Sequence, residues 1–150
     1  MKIAMAADHR GFETKRKISA LLKQWGHEVV DFGCEGSVAA TDYPDYALPA
    51  AKAVSEGKCD VGILLGGSGI GMSIAANKVH GVRAATVHDE LTARISREAN
   101  HCNVLCLGCD LLSDAEMRKI VQVFLTTGFG EGRHARRVAK LKDYEKRHHP

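Results

Sequence analysis

The sequence predicts an α/β fold: an open, mostly parallel five-stranded sheet with helices on both faces. Two patterns carry that prediction. Short apolar clusters alternate along the chain with segments whose apolar residues fall three and four apart. The segment Gly66-Gly67-Ser68-Gly69-Ile70-Gly71 directly follows the apolar run Val61–Leu65 and opens a helical pattern. That order is buried strand, glycine-rich turn, helix start, and it directs several backbone N–H groups toward one point.

Lys2–Ala7 forms the first apolar run and leads straight into Asp8-His9-Arg10. The helical pattern Phe12–Trp25 follows it, then a strand at Glu28–Phe32 and a helix at Tyr46–Ser55. Val61–Leu65 is the third strand and Ile70–Val79 its helix. Val82–Val87 and Asn103–Leu107 are the fourth and fifth strands, separated by the helix Leu91–Ala99. Ser113-Asp114-Ala115-Glu116 is a capping box, because Ser113 and Glu116 can each satisfy a free N–H of a first turn. It opens a helix to about Leu125, and a last helix runs from near Arg133 to Lys146. With no internal repeat, linker or low-complexity segment, the 150 residues read as one domain, 1–150.

Composition narrows the function. A hydrophobic content of 45% with mixed charges is ordinary for a soluble globule. The net charge of +3 is small, and no basic run is interleaved with aromatics, so nucleic acid is not an expected partner. The N-terminus is too short for a signal peptide, and no apolar stretch approaches membrane-spanning length. Five cysteines, an odd number, predict reduced thiols and a cytoplasmic location.

In an open parallel sheet, ligands bind beyond the carboxyl ends of the strands. The residues there are Asp8-His9, Gly33-Cys34, the 66–71 turn, His88-Asp89 and Gly108-Cys109-Asp110, a concentration of polar groups that points to a small-molecule site. The turn suits an anion, but none of its six residues can take a proton from carbon. As a dinucleotide fingerprint it fails, since Met72 stands where a third glycine belongs and the turn follows the third strand. Cys102-x3-Cys106-x2-Cys109 has iron–sulfur spacing, yet a strand through Asn103–Leu107 would keep the thiols apart, so they read as small hydrophobes and no metal is expected. His9 suits phosphate binding or acid–base work. Arg133 and Arg137, four apart on one helix face, offer two guanidinium forks to a phosphate, the alternative being a solvated face.

Together these pieces resemble the ribose-5-phosphate isomerase type B family, which includes the subunits of galactose-6-phosphate isomerase. The likeness rests on Ala7-Asp8-His9-x-Gly11, Thr41-Asp42-Tyr43-Pro44, Gly67-Ser68-Gly69-Ile70-Gly71 with Ile74-Ala75-Ala76-Asn77-Lys78, Arg83-Ala84, Asn100 and Gly132-Arg133-His134-x-x-Arg137. It implies a Rossmann-like three-layer sandwich with strand order 2-1-3-4-5 and an extra C-terminal helix. It implies an aldose–ketose isomerase of a sugar phosphate that works through an enediolate without metal or cofactor, as a homodimer or dimer of dimers with shared sites. By position, Asp8 and Tyr43 would face sugar hydroxyls and Asn100 would bind the sugar. Ser68 with the N–H groups of residues 67–71 would hold the enediolate oxygen, and His9, Arg133 and Arg137 the phosphate.

Four positions depart from the family. One branch carries a catalytic cysteine at what is here Gly66, and another a glutamate at what is here Met72. The histidine that assists ring opening is Ala99, and a phosphate-facing arginine after the fifth strand is Asp110. A replacement base is expected at the strand ends, with His88, backed by Asp89, as first candidate and Cys34, Asp42 and Asp110 behind it. The alternative is a catalytically silent sugar-phosphate-binding protein or the supporting subunit of a heteromeric isomerase; a nucleotide-binding regulatory domain is a third reading, disfavoured by the broken fingerprint.

Overall fold

A computed structural model describes residues 1–149. Among these, β1 (Lys2–Ala7), β2 (Glu28–Asp31), β3 (Val61–Gly66), β4 (Ala84–Thr86) and β5 (Val104–Gly108) form one all-parallel sheet. The helices are α1 (Phe12–Gln24), α2 (Pro44–Ser55), α3 (Ile70–Ala76), α4 (Glu90–Glu98), α5 (Asp114–Thr126) and α6 (Arg133–His148). Helix α2 starts two residues before its apolar pattern because Pro44 occupies the first turn, where a missing N–H costs nothing.

The predicted class holds, with a correction at one edge: the strand order is β2-β1-β3-β5-β4, not 2-1-3-4-5. Burial explains the exchange. Every residue of β5 is buried, whereas the three residues of β4 are only half-buried. The strand apolar on both faces takes the interior place, and the short one becomes the edge. β4 also begins later than its apolar run, because Asn103 Oδ1 accepts the Arg83 N–H at 2.8 Å.

Side chains alternate to the two faces with period two. Ile3 and Met5 of β1 and Leu105 and Leu107 of β5 pack with Ile18 and Leu22 of α1, Ala93 of α4 and Phe124 of α5. Ala4, Ala6, Leu64 and Cys106 face the other way, onto Ala47, Ala50 and Ala51 of α2 and Met72 and Ala76 of α3. Cys102 and Cys106 therefore lie on opposite faces, and all five thiols are free. Lys15 of α1, only 2% exposed, donates to Asp31 Oδ1 and to the Cys34 carbonyl, each at 2.7 Å, and so fixes the segment that leaves β2. No helix among the described residues is long and apolar enough to cross a membrane.

Candidate active site

Three strands end at one place. The carbonyls of Gly66 and Gly67, at the end of β3, accept the N–H groups of Cys109 and Asp110, at the end of β5, at 2.8 and 3.0 Å. Asp8, at the end of β1, donates its N–H to the Leu65 carbonyl at 3.2 Å. These bonds clamp the glycine turn between its neighbours. Gly69 takes a left-handed φ of 80° to enter α3, and a Cβ there would lie 2.9 Å from the Leu107 carbonyl carbon, so glycine is required twice over. Tyr43, the N-cap of α2, lays its ring against Gly71, where a Cβ would come within 2.7 Å of it.

The result is a cavity of about 360 Å³ over the turn. Asp8, Tyr43, Gly67, Ser68, Gly69 and Gly71, all expected at a site, line it together. Gly66 and Met72 form its inner wall, and Arg10, Asp110 and Leu111 its remaining sides. Asp8 is 8% exposed, and its Oδ1 accepts the N–H groups of Arg10 at 2.9 Å and Gly11 at 3.1 Å. Its Oδ2 points toward the turn, 3.5 Å from where a Cβ on Gly66 would stand. One donor of the turn is already spoken for, since Ile70 donates its N–H to Ser68 Oγ at 3.2 Å.

Other expected residues do not join this cavity within one chain. His9 is held by the loop beyond β2: its N–H donates to Thr41 Oγ1 at 3.0 Å, and its Nδ1 accepts the Thr41 N–H at 3.1 Å. With Nδ1 accepting, the neutral ring carries its proton on Nε2. Asn100 is exposed beyond α4, and Arg133 and Arg137 are exposed on α6. That helix docks elsewhere, burying Val138 and accepting the Gly81 N–H on Glu145 Oε1 at 2.8 Å. His88 is exposed past the edge strand, beside Asp89, which caps α4 by accepting the Thr92 N–H at 2.7 Å. Cys34 is buried with its thiol on the Gly36 carbonyl.

The Asp110 carboxylate, which alone would repel a phosphate, has a counter-ion. Arg10 Nε donates to Asp110 Oδ2 at 2.7 Å, and Arg10 Nη2 meets the same oxygen. The sequence reading missed Arg10. Its one signal was its place directly after Asp8-His9 at a strand end.

A family model described as ribose/galactose isomerase matches residues 3–141. The chain belongs to that family. It is 44% identical over 147 residues to a putative sugar phosphate isomerase of Bacillus subtilis, covering 98% of this chain and 99% of that one. It is 46% identical over 145 residues to a probable ribose-5-phosphate isomerase B of Mycoplasma genitalium, covering 96% and 95%. Among solved structures, ribose-5-phosphate isomerase B of Clostridium thermocellum superposes with a TM-score of 0.95 at 46% identity, covering 98% and 99%. The Mycoplasma genitalium enzyme with bound ribulose-5-phosphate gives 0.93 at 44%, covering 97% and 96%. In this family member, Gly66 and the buried Met72 border the cavity that Asp8, Tyr43 and Ser68 line.

Proposed function

We propose that this protein interconverts an aldose phosphate and its ketose, with ribose 5-phosphate as the first substrate to test. The observation that carries this reading is the meeting of Asp8, Ser68 and the glycine turn in one cavity at the ends of β1, β3 and β5. Family membership and the relative with bound ribulose-5-phosphate support it.

In this reading the open-chain sugar lies over the turn with Tyr43 and Asp8 at its hydroxyls. Asp8 Oδ2 takes the C2 proton as the electron pair moves toward the C1 oxygen to give an enediolate. The O2 hydroxyl proton passes to O1, and the carboxyl returns its proton to C1, leaving the ketose and the Asp8 carboxylate. The geometry favours Asp8 over His88, because its free oxygen faces the Gly66 position while His88 stands in solvent. Ser68 and the turn's remaining donors hold the enediolate oxygen, and a fixed donor at such an oxyanion contributes roughly 3–4 kcal/mol. Asn100, Arg133 and Arg137 complete the site from a second copy of the chain, and His9 offers Nε2–H to the phosphate. Leu91 and Ile95 of α4, with Ile70 and Ile74 of α3, leave apolar side chains in solvent that a partner would cover.

The test is proton exchange in D₂O. Wild-type protein is incubated with aldose and ketose phosphates of four to six carbons and followed by NMR. Deuterium at C2 with interconversion is expected, abolished in Asp8→Asn and retained in His88→Asn. Loss in His88→Asn alone would return the base to His88. Binding across the panel without exchange would reassign the chain to sugar-phosphate binding without catalysis.

A further inference from the structure

Among the described residues, no lysine, histidine or arginine other than Arg10 lines the cavity. Its side chain, although more than half exposed, lies across the glycine turn. A Cβ on Gly67 would fall 2.8 Å from Arg10 Nε and 2.9 Å from Asp110 Oδ2, so the ion pair rests on the bare backbone of Gly67. Asp110 is itself anchored there, through its N–H on the Gly67 carbonyl at 3.0 Å. A residue from the end of β1 and one from the end of β5 thus place a guanidinium on the turn, 100 positions apart in sequence.

We propose that Arg10, positioned by Asp110, is the residue of this cavity that selects an anionic ligand, binding its phosphate through the guanidinium edge that Asp110 leaves open. Both contacts to Asp110 use one carboxylate oxygen and the Nε and Nη2 atoms, so Nη1 is not spent on the pair. The side chains are 57% and 45% exposed, which makes the pair weak enough to share its cation with an incoming dianion. A guanidinium suits that task because its fork matches phosphate oxygens two at a time. The same arrangement makes recognition conditional: without Arg10 the Asp110 carboxylate faces the ligand uncompensated and repels it.

This inference takes the identity of its anion from the isomerase reading, and the test separates the two. Binding of inorganic phosphate and of ribose 5-phosphate is measured by calorimetry for wild type, Arg10→Gln, Asp110→Asn and the double variant. C2 exchange is followed in parallel. Both side chains are exposed, so thermal unfolding checks that the variants remain folded. Arg10→Gln is expected to weaken both ligands at least tenfold, Asp110→Asn to weaken them less, and the double variant to recover part of the Arg10→Gln loss. Recovery on removing a second side chain is something a merely structural pair would not produce. Phosphate binding lost in Arg10→Gln, with no exchange in any protein, would support Arg10 and overturn the isomerase reading. Exchange in wild type with unchanged phosphate affinity in Arg10→Gln would overturn Arg10 and leave the isomerase reading standing.

Discussion

Adjacent glycines of the turn face different neighbours. At Gly66 a Cβ would meet Asp8 Oδ2 and Met72 Cγ at 3.5 Å, ordinary contact, whereas at Gly69 it would meet Leu107 backbone at 2.9 Å with φ at 80°. Gly66→Cys is therefore expected to stay within about 1 kcal/mol of wild type, while Gly69→Ala loses about 2–4 kcal/mol by urea unfolding, from left-handed strain plus overpacking. The new thiol would also open onto the cavity, so ribose 5-phosphate should slow its alkylation. Cys34, Cys59, Cys102 and Cys106 are buried, and alkylation of the half-buried Cys109 is measured in wild type and subtracted. Asp8, Ser68 and Tyr43 were legible because each belongs to a short contiguous motif. Arg10 was not, because its meaning depends on Asp110, which only folding brings to it.

Helix ends show the opposite balance. The Ser113–Glu116 box read from four residues forms as predicted, with Glu116 N–H on Ser113 Oγ at 3.2 Å and Ser113 N–H on Glu116 Oε2 at 2.7 Å. Ser113→Ala should cost about 1 kcal/mol of stability by thermal or denaturant unfolding. Capping also sets an acid limit. Hydrogen bonds from the Ser113 and Thr92 backbones hold the Glu116 and Asp89 carboxyls below their ordinary values. A carboxyl depressed in the folded state is ionised in both states at neutral pH, and its contribution is complete there. As pH falls through the ordinary value and then the depressed one, the unfolded chain binds protons first and that contribution is lost. A fall in melting temperature beginning below about pH 4 is expected, and it should be shallower in Asp89→Asn. Elements governed by neighbouring residues were legible to within a few positions. The length of β4 was not, because Asn103, from the segment before β5, takes the Arg83 N–H, and Asn77 of the preceding helix end takes that of Ala84.

The molecule as a whole leaves apolar side chains in solvent on the helices flanking its β4 edge. Ile70 and Ile74 of α3 are each 55% exposed, and Leu91 and Ile95 of α4 are 54% and 45% exposed. Each pair is four apart, one stripe on its helix. In the proposed dimer these stripes are covered and the arginines of α6 reach the partner's cavity. Ile74→Asp should then yield a monomer by sedimentation and lose C2 exchange while remaining folded; an unchanged sedimentation coefficient would remove α3 from the interface. The sequence alone determined the parallel α/β class, the glycine turn and the family, since periodicity, turn chemistry and contiguous motifs are written in neighbouring residues. Tertiary structure alone decided that β5 displaces β4 from the interior, that His88 stands outside the cavity, and that Arg10 and Asp110 share it. Strand order follows from comparing the burial of whole strands, and a charge acquires its partner only when the chain closes a long loop, so neither can be read from local sequence.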